Sequence, residues 1–425
     1  MLRSSRLAAL CVLALPFAFS SPVLAAPEDD FVAWARQRMR PIDASGAAFR
    51  ALDPRIREAR LIGMGESVHE TEPFLSFRVQ FLKDLIRRER VTALAFESGL
   101  AEAIALDAYV QGSAATVDLP AALPGGFAHL RGIREFIEWL RAWNRGEGRK
   151  RPVHLYGADV PGRQASMLPG LDRLEELTSG QAEIKARIDA VRPLAAKVAA
   201  PWWRPAQEKY DALSATEKGE LQSAAARLVE DVNRIVVGAD DRSEWTRRVA
   251  LVISQSEAMS RLGQFSPTVP RDLAMADNLM WILGRLGRGE RLVYWAHNAH
   301  VQKTEVTGPA LPAGRYRGTG FRLNERLGRA YVAVGTAYGG ASRDGGAALV
   351  PGSVDAVLAR VSSAGAFLLS LGGSSKAAPS AAVHAWLSEE RPMRFQALHL
   401  LVPLGTAFDA VAYFDRAEPA AVVGK

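Results

Sequence analysis

Cysteine occurs once in 425 residues, as Cys11, inside an apolar stretch near the start of the chain. Beyond it the chain has no thiol. That excludes disulfides, cysteine metal sites and a thiolate nucleophile from the folded body. Long apolar runs are missing too. Leu7 to Phe19 is interrupted by Pro16 and falls short of the ~20 residues that span a bilayer as a helix. There is no block of Lys and Arg interleaved with aromatics, so the formal charge of +7 does not point to nucleic acid. No Gly-x-Ser-x-Gly elbow is present, which weakens a serine-nucleophile reading. No repeat period appears.

What is present is ordinary for a globular protein, with 48% hydrophobic and 23% charged residues. The length suits one large α/β domain or two modest ones. Arg3 and Arg6 followed by the apolar run, with Val23-Leu24-Ala25 and Leu24-Ala25-Ala26 behind it, read as a cleavable export leader over residues 1–26. Its removal would take the two arginines with it and lower the charge from +7 to +5. The expected location is periplasmic or secreted, with no stable membrane span.

The organising stretch is Gly63-Met64-Gly65-Glu66-Ser67-Val68-His69-Glu70. An apolar run precedes it, and apolar positions Leu75, Val79, Leu82 and Ile86 follow at helical spacing. This predicts strand, tight turn and helix, the last opened by Pro73. Open α/β sheets bind ligands beyond the carboxyl end of such a strand. Further strands are expected at 91–96, 153–157, 291–296, 331–335 and 366–370. A last strand at 410–414 is read as a possible edge. Continuous apolar runs such as Val91–Phe96 suggest parallel strands covered on both faces. The predicted fold is therefore α/β, a central, mostly parallel sheet flanked by helices. Residues 163–265 show helical periodicity and no β-branched strand run, so they are expected to be a helical insertion forming a lid or wall. Ser214-Ala215-Thr216-Glu217 resembles a capping box there. The chain then divides into a first core part (27–162), the insertion (163–265) and a second core part (266–425).

Titratable groups fall at four predicted strand ends: Glu66 with His69, Glu97, Asp159, and His297 with His300. Arg78, nine residues after His69, can be aimed back at the same mouth. A histidine needs little perturbation to serve as a general base near neutral pH. Glu66 or Glu97 can orient it, and Arg78 can stabilise an oxyanion. Glu70 adds a charge beside the base. Each group also has a structural alternative. Glu66 could cap the following helix, Arg78 could pair with Glu66 or Glu97, His297 could bond a backbone carbonyl, and Asp159 could order the turn Asp159–Gly162. His154 is placed in the core, and His129, His384 and His399 are read as structural. A metal held by His69, His297, His300 and a carboxylate is a second chemistry, although the spacing is not that of an HExxH helix.

Together these residues resemble the erythromycin esterases and their homologues. The resemblance runs from about Leu61 to Phe414. It rests on Gly65-Glu66-x-x-His69 with Arg78, Glu97, Gly157-x-Asp159, Arg271-Asp272 with Met275, and Trp295-Ala296-His297-Asn298-Ala299-His300. It implies a sheet wrapped by helices beside a deep cleft, and hydrolysis of the macrolactone of erythromycin-type antibiotics. It further implies His69 as general base, with Glu66, Arg78, Glu97, His297 and His300 as other site groups. His300, Glu70 and Asp159 are the expected substrate contacts. No metal and no cofactor are expected, and the expected partner is a small ester or lactone. Glu70 departs from the small or aromatic residue of many relatives. The competing readings are hydrolysis of another ester, lactone or amide, and sequestration of a hydrophobic ligand without turnover.

Overall fold

The computed structural model describes residues 27–160, 166–263, 270–311, 313–340, 349–361, 365–372 and 379–423. The expected leader, most of the Gly/Ala/Ser-rich stretches and residues Pro161 and Gly162 of the expected turn lie outside them. The strands, in chain order, are β1 Arg40–Pro41, β2 Leu61–Glu66, β3 Val91–Gly99, β4 His154–Asp159, β5 Arg291–His297 and β6 Val306–Thr307. They continue with β7 Arg315–Tyr316, β8 Tyr331–Tyr338, β9 Ala366–Ser370, β10 Glu390–Phe395, β11 Leu398–Pro403 and β12 Ala410–Phe414.

The main sheet has the order β1-β9-β12-β8-β2-β5-β3-β4. From β12 to β4 every pairing is parallel, and β9 is antiparallel to both of its neighbours. Both faces are covered, as the apolar runs require. Ile62, Met64, Leu94, Phe96, Val293 and Trp295 point to one face, under the helices Glu72–Arg88 and Arg131–Arg145. Leu61, Ala93, Ala95, Leu292, Tyr294 and Ala296 point to the other, against Leu279 and Ile282 of the helix Pro270–Gly284. The alternation of faces along each strand has the period of two that a pleated strand dictates.

Topology places the crevice. The connection leaving β2 passes β5 to reach β3, and the one leaving β5 passes β2 to reach β8. The two depart in opposite directions, so a cleft opens between the carboxyl ends of β2 and β5. The last register pair there is Glu66 with His297. Asn298 holds the junction by bonding both backbone groups of Thr336, Nδ2 to O at 2.8 Å and Oδ1 from N at 3.1 Å. Gly65 is glycine because a Cβ there would sit 2.2 Å from Asn298 Oδ1.

Residues 168–262 form helices Leu168–Leu177, Ala182–Val198, Trp203–Asp211, Ala215–Ile235 and Asp241–Leu262. Ile184, Ile188, Leu221, Leu228, Val249 and Ile253 pack together, and the cluster takes in Leu100, Ala101 and Ala274 of the α/β part. The capping box forms as read, with Ser214 Oγ accepting from Glu217 N and Glu217 Oε2 from Ser214 N.

Two expectations are corrected. β12 is not an edge: it lies between β9 and β8, and β1 and β4 are the outer strands. His154 is not a core residue. It begins β4, its side chain is 42% exposed, and its Nδ1 meets Asp107 Oδ2 at 3.0 Å. The second sheet, β10-β11-β6-β7, was not foreseen. Its strands β6 and β7 have only two residues each, too few to show alternation.

Gly65→Ala is expected to cost about 1–3 kcal/mol, because Asn298 has no room to retreat without dropping Thr336. A shift in the denaturation midpoint at unchanged m-value would show it.

Candidate active site

Glu66 ends β2, fully enclosed, and its two oxygens go separate ways. Oε2 accepts from Arg78 Nη2, while Oε1 meets His69 Nδ1 at 2.7 Å. Arg78 reaches it because Phe74, Phe77, Arg78, Phe81 and Leu82 share the buried stripe of one helix. The guanidinium also lies over the Trp295 ring, 4.1 Å from its centre. Arg78 is 1% exposed, and its burial pulls its pKa down to about 10 although Glu66 opposes this. It is thus placed to hold Glu66 and not to touch a ligand.

His69 is open where its neighbours are closed, with a side chain 36% exposed. Nδ1 donating to Glu66 leaves the lone pair on Nε2, the form a base requires. Burial would lower its pKa, but the Glu66 and Glu97 carboxylates together outweigh this and the net direction is up.

Glu97 lies within β3, where the pairing with β4 is irregular between Phe96 and Gly99. Its Oε2 accepts from His297 N at 2.9 Å and its Oε1 from Arg271 Nη2 at 2.8 Å. Burial would raise the Glu97 pKa, yet His300 and Arg271 hold it well below the usual carboxylate range. Glu97 therefore fixes the neighbouring strand and Arg271, while the hydrogen bond to His69 comes from Glu66. Asp159 takes three bonds from Arg271, at 2.5 to 3.1 Å, and one from Val160 N at 2.7 Å. Asp159 lines the site cavity, while Pro161 and Gly162 of the expected turn lie outside the described residues.

His297 caps the short helix Asn298–Val301, its Nδ1 accepting from Ala299 N at 3.4 Å and its Nε2 donating to Ser67 O at 3.1 Å. The carbonyl bond considered from sequence is present. Its ring lies 5.1 Å from that of His69, and burial together with that neighbour pulls its pKa down to about 3. It is a neutral imidazole. His300 is tied by Nδ1 to Asp272 Oδ1 at 2.7 Å, and its Nε2 lies 3.2 Å from Arg271 Nη1. Burial opposes its protonation, but Asp272 and Glu97 raise its pKa. Among the described residues, no three His, Asp or Glu side chains are arranged to ligate a metal ion.

A cavity of about 300 Å³ opens over these groups. Glu66, His69, Glu70, Glu97, Asp159 and Arg271 line it on the sheet side, and Trp202, Trp203 and Met259 of the helical layer close it from above. Arg78, His297 and His300 stand behind this wall. Glu70 has φ 59 and its Oε1 accepts from Gly126 N at 3.1 Å. Arg271 was visible in the sequence beside Asp272 among the residues of the resemblance, but its reach to Glu97 and Asp159 was not. No local pattern spans 112 residues.

Comparison with known proteins agrees with this architecture. The family model described as erythromycin esterase matches residues 86–417. The chain is 25% identical to erythromycin esterase type II of Escherichia coli over 73% of its own length and 78% of that protein. A crystal structure of a Bacillus cereus protein superposes with a TM-score of 0.76 at 20% identity, covering 93% of this chain and 99% of the other. A mutant of the erythromycin esterase EreC, in its open conformation, superposes with a TM-score of 0.72 at 19% identity, covering 89% of this chain and 95% of that one.

Glu66→Gln removes the larger of the two carboxylate charges that raise the His69 pKa. Since a base works only when deprotonated, the acid limb of the pH–activity profile should move to lower pH. The same change leaves Arg78 buried without its partner, so unfolding free energy should fall by about 3–5 kcal/mol. A pH–rate series and a denaturant titration read the two effects separately.

Proposed function

The chain belongs to the erythromycin esterase family, and on that premise we propose that it is an exported carboxylic ester hydrolase that opens the lactone ring of macrolide antibiotics. The observation that carries the reading is one pair: His69, the exposed imidazole of the cavity, bonded at 2.7 Å to a carboxylate that a buried arginine holds in place.

In this mechanism His69 Nε2 takes a proton from water as the oxygen adds to the lactone carbonyl. The carbonyl electrons move onto oxygen, giving a tetrahedral oxyanion. Collapse expels the ring oxygen, which takes the proton back from His69, and the product is a hydroxy acid. Glu66 fixes the His69 tautomer and stabilises the imidazolium formed midway. Arg78, too enclosed to meet substrate, keeps Glu66 oriented. Among the described residues, the cation that lines the cavity is Arg271, so we assign it the oxyanion role first considered for Arg78. His300 and Asp272 support Arg271 from behind, and neutral His297 borders His69 without competing for its proton.

The helical insertion, residues 163–265, is proposed as the wall that receives the bulk of the substrate, since Trp202, Trp203 and Met259 line the cavity. Export follows from Arg3, Arg6 and the apolar run behind them. A periplasmic enzyme of this kind would destroy a drug before it reached the ribosome, which is a resistance function.

Purified protein incubated with fourteen- and sixteen-membered macrolides should give products heavier by one water in mass spectrometry. His69→Ala should lose about 10²–10⁴-fold in rate, the span of general-base catalysis. Full turnover by a folded His69→Ala chain would remove His69 from the mechanism.

A further inference from the structure

The segment after β12 touches the site without lining it. Glu72 N donates to Glu418 O at 2.8 Å, Ala420 N to Glu70 O at 2.9 Å, Arg131 N to Ala421 O at 2.8 Å and Val423 N to His129 O at 2.8 Å. Thr71 pairs with Pro419 and Leu130 with Val422 in isolated antiparallel bridges. One short run thus binds both loops that flank the cavity, the one that carries His69 and the one that carries Phe127.

The two loops also meet each other. The His69 ring stands edge-on to Phe127 at 5.8 Å between centres, and Gly126 N bonds Glu70 Oε1. Glu70, next in the chain to His69, sits in the left-handed region at φ 59, a conformation that an L residue holds only when its surroundings impose it. Ala420 N, on the Glu70 carbonyl, is one of those impositions. Ala417 and Ala420 are buried in the core against the sheet, so the run has a fixed seat.

We propose that Ala417–Val423 is a strap that positions His69. It supplies no reacting group, and it sets the placement at which His69 meets Glu66 and the attacking water. The kinetic part of this idea rests on the hydrolytic reading above. The placement part does not.

Two substitutions cut the strap without cutting a helix. Glu72 and Arg131 each open a helix, where a missing N–H costs no intrahelical bond. The residues before them are already extended, as a residue before proline must be: Thr71 has φ −104 and ψ 136, Leu130 φ −74 and ψ 126. Glu72→Pro and Arg131→Pro therefore each delete one strap bond, while Glu72→Ala and Arg131→Ala delete the side chain and keep the bond.

The first readout is the titration of His69 by NMR of histidine-labelled protein. His69 faces Glu66, Arg78, Glu97 and His297. In the proline variants its pKa should drop from its raised value toward the ordinary ~6.5, and stay raised in the alanine variants. The second readout is kinetic: kcat should fall on the order of tenfold in the proline variants with KM nearly constant, as small misplacements of a catalytic group do. Proline variants that titrate and turn over like their alanine counterparts would overturn the strap. So would loss of the fold in both proline variants, which would make the segment scaffold. If the parent chain hydrolyses nothing offered, the hydrolase reading fails, and the titration still decides the strap.

Discussion

The Glu66 carboxylate, shared between Arg78 and His69, is the interaction on which the site depends. A buried carboxylate without a counter-ion would be neutral, and a buried arginine without one would be costly. Each makes the other tolerable. Because Arg78 occupies only one oxygen, the second remains to fix His69. The pair thus ties a stability requirement to the geometry of the site: the charge that lets Arg78 sit in an apolar helix stripe, over the face of Trp295, also fixes the tautomer of His69.

A second ion-pair network repeats this logic one strand away. Arg271 sits among Glu97, Asp159 and His300, and His300 is held by Asp272. Asp272 is in turn fixed by Thr319, whose N and Oγ1 reach it at 2.7 and 2.8 Å. Every carboxylate at the carboxyl end of these strands has a cation or an imidazole beside it. The groups are therefore held in place before any substrate arrives, which is the condition for electrostatic stabilisation without reorganisation.

Much of this was legible in the sequence, for a physical reason. Strands buried on both faces announce themselves as apolar runs, and their last residues must lie at the sheet's edge, so Glu66, Glu97, Asp159 and His297 could be placed at one mouth without any contact being known. Arg78 was read as a partner for Glu66 or Glu97, and the structure gives it Glu66. What stayed hidden depends on separation or brevity. Arg271 meets partners more than a hundred residues away. The strands β6 and β7 are too short for a pattern. β12 looked terminal because it is late in the chain, whereas position in a sheet is set by crossovers and not by chain order. His154 reads as core only if its strand starts one residue earlier than it does. The segment after β12 carries no motif at all, since its hold on the site is made by backbone groups that every sequence possesses.

The place of β5 has a consequence for how the molecule comes into being. β2 and β3 follow each other closely in the chain, yet they never pair, because a strand from some two hundred residues later lies between them. Until that strand arrives, two apolar strands wait with their inner edges bare. Such edges invite pairing with other chains, and closing so long a loop is slow. The half-made molecule is thus adhesive and its site incomplete, since His297 and His300 arrive with the same late strand. The delay follows from the architecture that creates the cleft, in which a strand late in the chain is laid between two early ones.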